Sequence, residues 1–180
     1  MEKEKQEFTI TVFTENFAGL IQRVVTVFTR RHINIDSLTT SSSSNESIHR
    51  FTIVVHVQES QIRKLVAAIE KQVDVIKAFF YERHEIVHQE IALYKIPTEI
   101  FMNGDETEAL VRSHNARILS IEPDYIVVEK TGHKSETEAL LHDLKKKGIF
   151  EFVRSGRVAV PKPMEPLNRY LASVESTYEE

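Results

Sequence analysis

His84, Glu85 and His88, in the run HEIVH, have the residue types and spacing of a zinc peptidase signature. In that chemistry two imidazoles one helical turn apart chelate the metal, and the glutamate between them activates its bound water. A helix is required. The run instead lies between two strand-like stretches, VDVIKAFFY and EIALYKI, and in extended backbone the two imidazoles stand too far apart for one ion. The sequence reading is therefore a solvated linker. A second stretch, ENFAGLIQRVVTVFTRRHINIDSL from Glu15 to Leu38, is more suggestive. Asn16 stands where a helix N-cap is expected, so its side chain can accept from the amide of Ala18 or Gly19. The same helix start offers unpaired N–H groups and a positive dipole end, which suit a carboxylate or phosphate. Gly19, lacking a β-carbon, lets a ligand approach the backbone. Both readings, a plain cap and a ligand site, stay open on the residues alone.

Other chemistry finds no anchor. GxSxG, GxGxxG and Walker sequences are absent, and SSSSNES reads as a flexible hairpin loop rather than a nucleophile. The third-strand candidate IHRFTIVVHV carries one aromatic, Phe51, and not the basic and aromatic pattern of an RNA-recognition module. The lysines 145–147 read as a solvated helix end.

The elements that would position these residues follow from hydrophobic period. EFTITVFT alternates, with Phe8, Ile10 and Val12 on one face. From Phe17 the period becomes helical, with Leu20, Val24, Val27 and Phe28 in one stripe that stops near Arg30 and Arg31. Ile33–Thr40 and Ile48–Val57 read as a hairpin, Gln61–Gln72 as a helix burying Ile62, Leu65, Val66 and Ile69, and VDVIKAFFY as a strand. The order βαββαβ then recurs. Glu90–Ile96 is a strand, a helix carries Ala109, Leu110 and Val111, and RILSIEPDYIVVEKTG turns at Pro123 and Asp124. The next helix has Ser135 and Glu138 in capping-box spacing, buries Leu140, Leu141 and Leu144 and stops at Gly148. FEFVRSGRVAV is the last strand, before prolines 161, 163 and 166.

The expected fold class is α+β, two tandem ferredoxin-like βαββαβ domains, each a four-stranded antiparallel sheet with two helices on one face. The expected boundaries are residues 1–83, a linker at 84–89, a second domain at 90–160 and a tail at 161–180. Exposed edge strands favour a homodimer. The 180 residues, 41% hydrophobic and 28% charged with net charge −4, suit a compact domain pair and supply no basic field for nucleic acid or membrane. With no cysteine and no apolar leader, a cytoplasmic location is expected.

ENFAGLIQRVVTVFTRRHINIDSLTT, RFTIVV, VDVIKAFF, QEIALYKI and VRSGRVAV, in this order and spacing, resemble the small regulatory subunit family of acetolactate synthase (acetohydroxyacid synthase). The resemblance spans Glu7 to Val160. It implies an N-terminal ACT domain over 1–83 and the family's own ferredoxin-like domain over 90–160. It also implies a non-catalytic subunit that dimerises through its ACT domains, binds and activates the catalytic large subunit, and confers feedback inhibition by valine or a related branched-chain amino acid. Thiamine diphosphate, Mg2+ and FAD would belong to the large subunit, with no cofactor on this chain. Carried over by position, Asn16 and the loop Ala18, Gly19, Leu20 and Ile21 would hold the effector, with Asn34 and Ile35 supplied by the neighbouring ACT domain. The chain departs from the family pattern at His32, where Gly is usual, and at Leu20, Ile21 and Gln22, which replace smaller or different residues. The alternative is a free-standing ACT-type amino-acid sensor acting on another partner.

Overall fold

The computed structural model describes residues 4–16, 18–43, 47–102 and 105–162. Phe17, the tip of the SSSSNES loop and most of the tail lie outside the described residues. The chain forms two compact units, one running to Val87 together with the segment from Ala159, the other His88–Val158. Among the described residues no helix is long and apolar enough to cross a membrane.

The first unit runs β1 (Gln6–Glu15), α1 (Leu20–Thr29), β2 (Ser37–Ser42), β3 (Ile48–Val57), α2 (Glu59–Glu70), β4 (Val75–Glu82). Its sheet is antiparallel in the order β2-β3-β1-β4, with Phe8 opposite Val55 and Val12 opposite Phe51. Period-2 alternation sends Phe8, Ile10 and Val12 to the helix-covered face, where they meet Leu20, Val24 and Phe28 of α1 and Ile62, Leu65 and Ile69 of α2. Burying each such side chain contributes about 1.5–3 kcal/mol. The opposite face is not the bare surface the pattern suggests. Phe13, Thr9, Thr11 and Thr52 are buried, and Arg50 reaches across Phe13 to donate to the Ala159 carbonyl.

α1 ends in a Schellman turn: His32, at φ 53°, donates to Thr29 O at 3.0 Å, and Ile33 donates to Phe28 O at 3.1 Å while packing on the core. The left-handed residue expected at this point is thus His32 itself.

The second unit contains most of β5 (Ile86–Pro97), then α3 (Thr98–Met102), α4 (Asp105–Ser113), β6 (Arg117–Ile121), β7 (Tyr125–Gly132), α5 (Lys134–Lys147) and β8 (Glu151–Arg154). The sheet order is β6-β7-β5-β8, and β9 (Val158–Pro161) also pairs with β5. Two tandem ferredoxin-like α+β repeats are therefore present. Three local expectations change. Residues 84–89 are the end of a 3-10 turn, Arg83–Glu85, and the opening of β5, so strand pairing continues where a linker was read. FEFVRSGRVAV is two strands, because Ser155 Oγ accepts from Ile91 N at 2.9 Å and closes the β8 ladder. The α5 cap lies two residues earlier than Ser135: His133 is the N-cap, and its N–H donates to Glu136 Oε2 at 2.7 Å.

Candidate functional site

The β1–α1 turn is built around Gly19. It is the N-cap of α1, at φ 87° and ψ −4°, in the left-handed region that a side chain resists. As a glycine it brings no side chain of its own to cap the helix start. The reading of Asn16 as a plain cap is thereby corrected: the chain reverses at Gly19, three residues later, and Asn16 is exposed outside the helix. The first intrahelical bond runs from Arg23 N to Gly19 O, at 3.3 Å. The amides of Leu20, Ile21 and Gln22 precede it, and a helix supplies them with no carbonyl. A β-carbon placed on Gly19 would meet nothing within 4 Å, so the space beside the turn is open.

That space is a cavity of about 210 Å³, lined by Asn16, Ala18, Gly19, Leu20 and Ile21 and closed by Thr40, His49 and Phe51. Thr40 faces Phe51 across the β2–β3 ladder, and Ser42 faces His49. Phe51 is part of the buried core and makes an apolar floor. The His49 ring lies 6.5 Å from the Phe51 ring, and its Nδ1 is buried without a hydrogen-bond partner among the described residues. The cavity thus pairs apolar walls with unpaired backbone donors and one orphaned imidazole nitrogen, chemistry suited to a small ligand with one polar, anionic end. Asn34 and Ile35 are not brought to it. Asn34 is exposed in the α1–β2 connection, and Ile35 packs against the first unit's core. Thr40, His49 and Phe51 were missed from sequence, although alternation in IHRFTIVVHV places His49 on the Phe51 face.

The HEIVH run is not the helix that the zinc signature requires. His84 lies exposed in the 3-10 turn with Nδ1 3.4 Å from Glu82 Oε2, whereas His88 lies on β5 with Nε2 3.1 Å from His133 Nδ1. His88 is also 5% exposed, and so is not the solvated residue expected there.

Residues 10–77 match the AHAS small subunit-like ACT domain, and residues 89–163 match the small subunit of acetolactate synthase. The acetolactate synthase small subunit of Bacillus subtilis is 34% identical over 83% of this chain and 87% of its own length. The chain belongs to the acetolactate synthase small-subunit family. The Mycolicibacterium smegmatis small subunit is 32% identical over 86% of this chain and 90% of its own length. The crystal structure of the Thermotoga maritima acetolactate synthase small subunit superposes with a TM-score of 0.80 at 26% identity, covering 89% of this chain and 99% of that one. Membership makes this a regulatory subunit with an ACT domain, and implies a catalytic large subunit as its partner. The cavity at Gly19 lies within the segment matched to that ACT domain.

Proposed function

We propose that this acetolactate synthase small subunit binds and activates the catalytic large subunit, and carries feedback inhibition by valine held between two ACT domains. In this reading residues 1–83 form the regulatory domain and 90–160 the family's C-terminal domain, working in the cytoplasm. Asn16 and the amides of Ala18 to Ile21 take the effector's polar end, while Leu20, Ile21 and Phe51 face its side chain. Asn34 and Ile35 of a second copy complete the pocket, so the site exists only in a homodimer. Thiamine diphosphate, Mg2+ and FAD are carried by the large subunit, and this chain holds none of its own.

The observation that carries the reading is the α1 N-terminus opening through Gly19 onto a cavity with an apolar floor. An anion there meets unpaired N–H groups and the dipole, while an aliphatic side chain meets Leu20 and Phe51. Feedback requires valine to favour one state of the complex, with a coupling of about 1–3 kcal/mol. The test is acetolactate formation by the cognate large subunit, with and without this chain and with and without valine. Activation that valine reverses is expected. No complex and no rate change would reject the regulatory role, and activation indifferent to valine would remove the effector assignment.

A further inference from the structure

α1 and α2 pack on the same face of the first sheet and touch each other. Between them lies a groove of about 360 Å³. Its floor is made by Val27 and Thr26 of α1 and Ala68 of α2, and its rim by Arg23, Arg30, Arg31 and Lys71. Positions 23, 26, 27 and 30 repeat at helical spacing, so they share one face of α1. From Arg23 to Arg30 the axial rise is about 10 Å, which spreads the cations along the groove instead of gathering them at one point.

Four cationic side chains thus border one groove in a chain whose net charge is −4. The helix dipoles account for part of this, because Arg30 and Lys71 are the C-caps of α1 and α2, where a cation is favourable. They do not account for Arg23. It stands near the start of α1, where a cation opposes the dipole, and the first turn holds no acidic residue to balance it. The carboxylates close by are already engaged: Asp74 pairs with Arg23, while Glu70 pairs with Lys77 at 2.7 Å and accepts from Ala78 N at 3.3 Å. Arg31 turns back on its own helix, Nη1 donating to Val27 O at 3.2 Å. The exposed Arg30 and Lys71 pair with no carboxylate among the described residues. Set against Asp74, the four cations leave an excess of three positive charges in the groove.

We propose that this groove docks an acidic segment of the catalytic large subunit, an inference that rests on the regulatory role proposed for the chain. A single small anion is held best by donors that converge on it, whereas these cations are strung along a helix and the Arg23 side chain is 59% exposed. That spacing suits several carboxylates carried on one protein segment. Two of them meet Arg30 and Lys71, and an aliphatic side chain between them lies on Val27 and Ala68. The local positive field, opposite in sign to the chain as a whole, steers the acidic surface to this face and fixes its register.

The test is the affinity of the full chain for its cognate large subunit, measured by biolayer interferometry at low and at physiological salt. The double variant Arg30→Gln, Lys71→Gln should bind about 10-fold more weakly at low salt, and the gap from wild type should narrow as salt rises. Charge reversal, Arg30→Glu with Lys71→Glu, should weaken binding further. Both positions are exposed, so the fold is retained, and the neutral variant provides the answer even if the reversed one is destabilised. Variants that bind as tightly as wild type at every salt concentration would overturn the docking surface and leave the regulatory role standing. A wild-type chain that does not bind would overturn both. Hexaglutamate should compete with the large subunit for the wild-type chain. Inorganic phosphate or a single-stranded oligonucleotide that competes better at equal ionic strength would overturn the assignment to a carboxylate-bearing segment.

Discussion

The two units have the same βαββαβ order but open their pockets by opposite means. In the first, the core stays apolar from end to end and the cavity is made outside it, by a left-handed glycine at the β1–α1 turn. In the second, the α4 and α5 helix ends are joined by a core position surrendered to Lys130, backed by Ala92 and Thr137. Lys130 faces Ala92 across the β5–β7 ladder as Val55 faces Phe8 in the first unit. A backbone device offers N–H groups and leaves specificity to apolar walls. A side-chain device sets a full charge at the pocket wall. One fold therefore carries two pockets because each repeat gives up a different part of its regularity.

The comparison breaks most visibly if the two positions are exchanged. Val55→Lys places an ammonium in a packed core with no pocket to receive it, and should cost about 3–5 kcal/mol or prevent folding. Lys130→Met keeps the buried stem and removes a charge that acts only at a distance on Glu136, and should change stability by about 1 kcal/mol or less. Urea unfolding of both variants measures the contrast. Equal losses would mean that Lys130 is an ordinary structural residue.

The left-handed glycines give the next largest effect. Gly148, at φ 109°, closes α5 with Ile100 Cδ1 2.7 Å from where a β-carbon would sit, whereas Gly19 faces open space. Gly148→Ala should therefore cost about 2–3 kcal/mol, backbone strain plus a displaced core side chain, against about 1 kcal/mol for Gly19→Ala. The milder variant should be the one that loses the response to valine, because its new methyl group enters the cavity.

Tyr94 offers a pH test of the second core. Its hydroxyl donates to Thr137 O at 2.7 Å, and burial pushes its pKa up to about 12, partly offset by Arg154. A raised pKa adds stability that is complete below the unfolded value, about 10, and is lost as pH rises through about 12. Tyr94→Phe should cost about 1–2 kcal/mol at neutral pH, and the difference from wild type should shrink across that alkaline window. A difference that stays constant with pH would place the cost in packing alone.

Most of this fold was legible because period and repeat agree. The stripe Leu20, Val24, Val27 and Phe28 and the alternation Phe8, Ile10 and Val12 are all buried as read. The misreadings fall where local hydrogen bonds override pattern. Ser155 ends a strand that looks continuous, His133 takes the cap from Ser135, and the end of HEIVH joins β5 with Ile86 and His88 on its buried face. In the candidate site, the turn residues were visible as Asn16 to Ile21. Thr40 and His49 were not, since they reach it through β2–β3 register. Lys130 gave no signal within its own strand; only alignment of the two repeats shows that it occupies a valine's place.

The smallest expected effect separates the two Schellman turns. His32 ends α1 at φ 53°, and Asn115 ends α4 at φ 52°, where Asn115 N donates to Arg112 O at 2.9 Å and Ala116 N to Val111 O at 3.0 Å. Both strain a β-carbon equally in geometry, but asparagine tolerates the left-handed region better than histidine. Replacement by glycine relieves that strain and adds unfolded-state entropy, two terms of similar size and opposite sign. His32→Gly should thus stabilise the chain by about 0.5 kcal/mol and Asn115→Gly by close to zero, read as shifts in urea midpoint at constant slope. The reverse order would show that His32 is held by contacts beyond its turn, and that the first repeat retains histidine for more than helix termination.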